Sequence, residues 1–284
     1  MRLSSAGVGL CALFLSLGCG ESAPDGPPDP ETRTLSATRP SVEPGVETTQ
    51  CQVFDLGNEA PAMIRAIRTT LSAGSHHMII DRTDEPVSTD PFPCGGIPGG
   101  ADTLFIAQQA QSGVEYPDEA GLPIEAHQHI KVEIHYINFT GEPIDIEGTI
   151  DFDLVPVDPS IDPVEILFTG KLQLDIKSHQ TTTVDSFHTV PSGGRIFGLT
   201  SHMHHLGEWA TIQRASGVDD PAATLLHESN DWAEPPLDTF DPPLTLDEGE
   251  GLWLTCHYDN DTDTDVGFGP GYYDEMCFLW VYWY

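Results

Sequence analysis

Two short histidine runs are the features of this sequence best suited to chemistry. His76 and His77 form one run, and His202, His204 and His205 occupy three of four consecutive positions in the other. Imidazole nitrogen binds zinc, copper, iron and nickel, so both runs are candidate metal ligands. Side chains two positions apart on a strand share one face, and His202 and His204 can therefore reach the same ion.

The adjacent pair His76 and His77 needs a different local geometry. Neighbouring residues on a strand point to opposite faces, so both can bind one metal only where the strand bends or ends. His135 is the candidate third ligand, on the polar face of a strand whose other face carries Ile134 and Tyr136. We interpret the remaining isolated histidines as solvated side chains, namely His127, His129, His179, His188, His227 and His257.

A thioether ligand would separate copper from the other metals, because soft sulfur favours copper(I). Met276 is the candidate, one residue before Cys277 and at the start of the last predicted strand. Most methionines only fill cores, and spacing alone does not raise Met276 above that interpretation.

The elements that must hold these residues are predicted to be strands. Apolar and polar residues alternate over residues 130–136 and 252–258, and residues 277–284 are densely apolar and aromatic. Turn signals that contain glycine and proline separate such runs. The pattern predicts an all-β fold of the sandwich or jelly-roll type, with residues 60–70 as the only candidate helix.

Composition limits the possible partners. The 284 residues include 45 acidic and 11 basic side chains, which gives a formal net charge of −34. Such a surface repels phosphate backbones and anionic membranes, which excludes nucleic-acid binding. Prolines within residues 156–163 disfavour a central strand there. They predict a boundary between an N-terminal domain, residues 48–157, and a C-terminal domain, residues 158–284.

The N-terminus is typical of an export signal. Arg2 precedes an apolar stretch of signal-peptide length, and residues 1–19 end at Cys19 as in bacterial lipoprotein signals, although Leu17 stands where a small residue is usual. A plain secretory signal cleaved nearby is the alternative. Residues 20–47 are predicted to form a disordered, proline-rich linker. The chain would then meet the membrane of the cell envelope only through a lipid on Cys19.

Export places the four cysteines that follow the signal in an oxidising compartment. Four cysteines allow three pairings. The pairing that is local in sequence is Cys51–Cys94 with Cys256–Cys277, which puts one disulfide in each half of the chain.

Five segments resemble the copper type II, ascorbate-dependent monooxygenases, a family that includes peptidylglycine α-hydroxylating monooxygenase and dopamine β-monooxygenase. Residues 202–207 resemble the family's His-x-His-His-Leu-Gly motif, and residues 274–284 resemble its Asp-Glu-Met-Cys segment and aromatic strand. Residues 256–259 resemble the segment that supplies the partner cysteine. Residues 76–78 and 132–136 resemble the two segments that supply the ligands of the other copper.

The resemblance implies two tandem jelly-roll domains, each with one copper, which face each other across a solvent-filled cleft. The N-terminal domain would hold the electron-transfer copper, and the C-terminal domain the catalytic copper. A reductant such as ascorbate would reduce both ions, and O2 bound at the methionine-containing site would hydroxylate a C–H bond of a small organic substrate. The implied ligands are His76, His77 and His135 for the first copper, and His202, His204 and Met276 for the second.

Departures from the family pattern bear on the substrate. The members that hydroxylate peptides place an arginine where this sequence has Thr200, and an asparagine and a tyrosine where it has Phe278 and Trp280. Without the arginine an anionic peptide terminus finds no counter-charge, so we expect an apolar or cationic small substrate instead of a peptide. Glu208 could attract an amine, but a solvated surface charge is the plainer interpretation.

Two other functions remain open at this point. The same ligands would serve a non-catalytic copper-binding lipoprotein of the periplasm. A zinc-dependent hydrolase would use His202 and His204 alone, but the sequence shows no suitably placed nucleophile or general-base motif for it.

Overall fold

The computed structural model describes residues 30–95, 103–191 and 193–284. These residues form strands, turns and loops and contain no helix, which confirms the predicted all-β class. The described part of the chain therefore has no helix long and apolar enough to cross a membrane. The predicted signal, with Cys19, lies outside the described residues.

The first half of the chain forms two sheets. One has the order β1-β10-β3-β8-β11, with β7 also paired to β3, and the other has the order β5-β2-β9-β4-β6. The strands are β1 (Glu31–Val42), β2 (Glu47–Asp55), β3 (Ala62–Leu71), β4 (Ser75–Thr83), β5 (Ser88–Pro93), β6 (Thr103–Ala107), β7 (Gln111–Glu115), β8 (Ala120–Ile124), β9 (His129–Ile137), β10 (Ile144–Pro156) and β11 (Asp162–Pro163).

The second half forms two four-stranded sheets and a short two-stranded one. Their orders are β12-β21-β15-β18, β14-β19-β16-β17 and β13-β20. The strands are β12 (Glu165–Gly170), β13 (Asp175–Ile176), β14 (Gln180–His188), β15 (Arg195–His202), β16 (Gly207–Ala215), β17 (Thr224–Ser229), β18 (Asp238–Thr245), β19 (Gly251–Asn260), β20 (Val266–Gly267) and β21 (Phe278–Trp283).

The last strand, β21, joins the two hydrophobic cores. Side chains alternate across a strand, so Met276, Phe278 and Trp280 pack into the core of the first half, whereas Leu279 and Val281 pack into that of the second. The core of the first half therefore extends onto the second half. This shared strand brings Met276 and Trp280 towards the histidines of β4 and β9.

Two sequence predictions are wrong for particular segments. The candidate helix over residues 60–70 is strand β3, where a bulge opposite β10 skips Arg65. Because of the bulge, Ile64 and Ile67 both face the core although they are three positions apart. A spacing of three is typical of a helix, which explains the wrong prediction. The predicted linker over residues 20–47 is wrong for residues 31–42, which form β1 and pair with residues 144–154 of β10.

Both disulfides of the sequence-local pairing are present. Cys51–Cys94 joins β2 to the end of β5, and Cys256–Cys277 joins β19 to the residue before β21. Disulfides of this kind persist in oxidising compartments. The second one fixes the residue that follows Met276, and thereby the start of the strand shared by the two cores.

Candidate metal centre

Five of the predicted ligands meet at one place, where the two halves touch. The rings of His77 and His135 lie 5.2 Å apart, and those of His202 and His204 lie 5.1 Å apart. Across the two halves, His77 and His202 approach to 5.3 Å, and His76 lies 5.9 Å from His202. We call His76, His77 and His135 the first histidine set, and His202 and His204 the second histidine set.

The expectation of a solvent-filled cleft between two separated sites is wrong for this structure. His135 and His202 are each 2% exposed, and His204 is fully buried. Ring separations of about one van der Waals contact leave no layer of water between the sets. The hydrophobic surface that Met276 and Trp280 present to the first half explains the closure, because burying it favours contact.

A bulge at the start of β4 allows two adjacent histidines to face the same cluster. The β4–β9 register shifts between Ser75 and His77, which leaves His76 outside the ladder. His77 then stands directly opposite His135 on β9. The sequence predicted that the strand must bend or end for both histidines to bind one metal, and the bulge provides this bend.

A turn, and not a shared strand face, brings His202 and His204 together. Strand β15 ends at His202, and His204 begins a turn closed by a hydrogen bond from the Gly207 amide to the His204 carbonyl. The fully buried Glu275 carboxylate accepts hydrogen bonds from the amides of His204, Leu206 and Met276. This one carboxylate therefore ties the histidine turn to the segment that carries Met276.

Hydrogen bonds fix which nitrogen carries the proton in the rings of His204 and His135. Nδ1 of His204 lies 3.0 Å from the Asp274 carbonyl oxygen, which only accepts, so Nδ1 is the protonated nitrogen. Nε2 of His135 lies 3.1 Å from Glu47 Oε1 and is protonated for the same reason. The basic nitrogens that remain are Nε2 of His204 and Nδ1 of His135.

Four buried ring nitrogens have no hydrogen-bond partner. They are Nε2 of His76, Nδ1 of His77, Nδ1 of His135 and Nε2 of His204. A buried polar atom left without a partner is costly, and a metal ion bound to each nitrogen would remove that cost. Two groups offer three ring nitrogens within 4.8 Å of one another: His76, His77 and His135, and His76, His202 and His204.

Burial keeps all five rings neutral. Loss of hydration lowers the pKa of His76, His77 and His202 well below its usual value, and lowers that of His204 to about 4. It also lowers the pKa of His135, against the opposing effect of Glu47. Neutral imidazoles keep the lone pair that a metal requires. The residues therefore fit a metal that takes imidazole nitrogen in a dry site.

Met276 lines the same small cavity as His77 and His202. The cavity has a volume of about 20 Å³, which is room for about one water molecule. Its walls are largely apolar, with Ile79, Ile106, Phe168, Pro270 and Trp280 beside Thr49 and Glu133. Met276 therefore lies beside the histidine cluster, and its role as a metal ligand remains a prediction from the family resemblance.

A third group, formed by Cys51, Cys94 and Glu133, does not fit a metal. The two sulfurs are joined in a disulfide and are not available as thiolates. Burial, with the nearby Asp81, raises the pKa of Glu133 to about 7.

Sequence reasoning missed residues that hold the ligands. Gln108 Oε1 lies 2.5 Å from His202 Nδ1, and Glu47 contacts both His135 and the backbone of Tyr272. The partners in these contacts are separated by 88 to 225 positions, so no local pattern reports them.

His227 was interpreted as solvated, and this is wrong, because it is 1% exposed. It lies 2.8 Å from Ser201 Oγ and 2.7 Å from the Asp238 carboxylate, an arrangement known from hydrolases. Ser201 is itself 1% exposed, and the cavity beside it has a volume of about 0 Å³. A nucleophile needs room for a substrate, so this chain of hydrogen bonds serves to hold Ser201.

Comparison with known proteins places the second histidine set in a family. Residues 173–284 match the family model of the copper type II ascorbate-dependent monooxygenase, C-terminal domain. This confirms the resemblance over the range that contains His202, His204 and Met276. A solved structure described as "Crystal Structure of the STIV MCP" is similar at 9% identity and a TM-score of 0.36, over 89% of this chain and 95% of that chain. A score this low bears on neither fold nor function.

Proposed function

We propose that this protein is a copper-dependent monooxygenase that hydroxylates a C–H bond of a small organic substrate with O2 and a reductant such as ascorbate. One observation carries the proposal. The family match covers the loop with His202 and His204 and the segment with Met276, and these residues adjoin a cluster of buried, neutral imidazoles with unpartnered nitrogens.

The donor atoms favour copper over zinc. Both metals take imidazole, but a thioether on the wall of the site suits copper(I). We propose that the first histidine set holds one ion and that His202, His204 and Met276 hold another, each on its own jelly-roll domain. The first domain includes strands β1 and β11 besides residues 48–157. Copper bound there supplies one-electron transfer and the activation of O2.

The protein's own residues keep water away from this chemistry. Ile79, Ile106, Phe168 and Trp280 form the apolar wall, and the Phe168 ring packs at a tilt against Trp280 with ring centroids 4.1 Å apart. A cavity of about 20 Å³ does not hold an organic molecule, so we propose that the halves separate to admit the substrate. The aromatic walls suit an apolar or cationic small molecule.

Thr200 supports the prediction that peptides are not the substrate. It is 2% exposed and stands opposite Trp280 in the β15–β21 ladder, where it offers no positive charge to a carboxylate. We further propose that the protein is exported, with lipid on Cys19 as its membrane attachment. Nucleic acid is not a partner of a chain with a net charge of −34.

Metal analysis followed by turnover tests the proposal. The purified protein is loaded with copper(I) without oxygen, its copper content is measured, and ascorbate and O2 are added with a panel of small substrates. We expect reductant-dependent oxygen uptake and, by mass spectrometry, one added oxygen atom in a product. His179→Ala is a matched control, because that exposed histidine pairs with Asp263 and belongs to neither histidine set, so it should change neither quantity.

A non-catalytic copper-binding protein is the second candidate, and the closed, buried centre favours it. It predicts tight copper binding with no oxygen added to any substrate in the panel. If zinc replaced copper and the protein kept its activity, both the monooxygenase and the copper-binding function would be contradicted.

A further inference from the structure

Gln108 reaches from the first half of the chain to a ligand of the second. It follows β6 directly and is 6% exposed. Its Nε2 donates a hydrogen bond to the Ser201 carbonyl oxygen at 3.0 Å and lies 3.4 Å from Thr200 Oγ1. Its Oε1 lies 2.5 Å from Nδ1 of His202.

These contacts determine the orientation of the amide without ambiguity. A carbonyl oxygen only accepts hydrogen bonds, so the NH2 group of Gln108 must face Ser201 and its oxygen must face His202. Because that oxygen also only accepts, Nδ1 of His202 must be the protonated nitrogen. The basic nitrogen of His202 is then Nε2, as in His204.

We propose that Gln108 is a positioning residue that selects the tautomer and the ring orientation of His202 across the contact between the two halves. A neutral imidazole in water prefers the proton on Nε2, the nitrogen that must here bind the metal. The hydrogen bond to Gln108 reverses this preference. The tautomer does not depend on the proposed function, whereas the identity of the metal does.

The acceptor that orients Gln108 is itself held in place. Ser201 donates from its hydroxyl to Nε2 of His227, whose Nδ1 donates to the Asp238 carboxylate. The series of hydrogen bonds from the half-exposed Asp238 through the buried His227 and Ser201 therefore fixes the carbonyl oxygen that holds the Gln108 amide. This gives the hydrolase-like arrangement a role that needs no substrate.

Contact between the two halves is therefore coupled to the tautomer and ring orientation of His202. If the halves separate, Gln108 leaves with the first half and His202 loses its acceptor. Partners of this kind change metal affinity by roughly 10–100-fold. The second histidine set is therefore fully prepared for a metal only when the two halves are in contact.

Nitrogen-15 NMR of the metal-free protein tests this directly. Long-range proton–nitrogen spectra of histidine-labelled protein show which ring nitrogen of His202 carries the proton. We expect Nδ1 in the wild type, and a shift towards Nε2 in Gln108→Leu, which keeps the size and removes the acceptor. Gln108→Glu keeps an acceptor oxygen and should retain the wild-type tautomer.

Gln109→Leu is the matched control. Gln109 also bridges the halves, through Glu234, but touches no ligand, so the His202 tautomer should not change. Copper(I) affinity measured by chelator competition should fall by roughly 10–100-fold in Gln108→Leu and stay unchanged in Gln109→Leu.

Two results would overturn the proposal. One is a wild-type protein with the His202 proton on Nε2, and this measurement needs no variant to fold. The other is a folded Gln108→Leu that keeps the proton on Nδ1. Neither result depends on turnover, so a failure of the proposed enzyme activity remains distinguishable.

Discussion

The two histidine sets use the same ligand type but different supporting partners. His135 in the first set donates to a carboxylate, Glu47, whereas His202 in the second donates to the neutral amide of Gln108. A carboxylate makes an imidazole a stronger electron donor and favours copper(II). A neutral amide, with a thioether beside it, favours copper(I). The comparison teaches that the partners behind the imidazoles, together with the thioether of one set, separate the two proposed roles.

The largest expected effect comes from removing a ligand of the second set. His204→Ala should reduce the copper content from two ions per chain to one, because it removes a basic nitrogen of that set, and should abolish oxygen uptake. Metal analysis and an oxygen electrode measure both quantities. His205→Ala is the control, since the neighbouring ring donates to the Tyr272 carbonyl and belongs to neither histidine set. A His204→Ala protein that still binds two ions would remove the distinction between the sets.

Met276→Ala should separate binding from turnover. Imidazoles keep the copper in place, but loss of the thioether weakens the preference for copper(I), so oxygen uptake should fall roughly 100-fold, about 3 kcal/mol in barrier height. Met63→Ala is a matched control, because Met63 is also a buried methionine but lies on β3, which carries no predicted ligand. Oxygen uptake unchanged by Met276→Ala would contradict the assignment of the catalytic set.

Each set also has a buried glutamate close to it, and the two should respond in opposite directions. Burial raises the pKa of both Glu133 and Glu275 to about 7. A raised pKa means that the folded protein keeps a proton which the unfolded chain releases, so stability is lost as pH rises from about 4.5 to about 7. Glu133→Gln removes this loss.

Metal-free Glu133→Gln should therefore exceed the wild type in free energy of unfolding by roughly 3 kcal/mol at pH 8 and by almost nothing at pH 4. Glu275→Gln should instead destabilise by about 1–3 kcal/mol, because an amide cannot accept from all three backbone amides that its carboxylate now binds. Urea unfolding at both pH values measures this. Equal effects of the two substitutions would show that the environments do not differ as described.

The smallest expected effect tests the carboxylate of the first set. Glu47→Gln keeps an oxygen for the Tyr272 amide but removes the negative charge behind His135. Copper(II) affinity of the first set should fall by about 10-fold and its reduction potential should rise. A potentiometric titration followed by electron paramagnetic resonance resolves the two sets. A lower reduction potential in Glu47→Gln would contradict the role assigned to the Glu47 carboxylate.

The sequence predicted the all-β class and the histidines that meet at the candidate metal centre. The backbone geometry that brings some of them together differs from the predicted one. His76 and His77 converge through a bulge that was foreseen as a bend, whereas His204 reaches the cluster from a turn after β15 has ended. Strand β1 resembles a linker in sequence because its three buried positions, Leu35, Ala37 and Val42, are few and lie among polar residues. Local patterns report such alternation only when the buried side chains are large.

The contacts that prepare the ligands were not predictable from local patterns. Gln108 and His202 are 94 positions apart, and Glu47 and Tyr272 are 225 apart, so each contact exists only after both halves have folded and met. A single glutamine or glutamate in a sequence is an ordinary surface residue. Only the packed structure shows that each lies behind a ring nitrogen.

X-ray absorption spectroscopy at the copper edge of the copper(I)-loaded protein tests the central claim most directly. The account predicts two copper ions per chain with imidazole nitrogen around both, and sulfur scattering from about half of the copper that disappears in Met276→Ala. A spectrum without sulfur in the wild-type protein, or sulfur that persists in Met276→Ala, would contradict it.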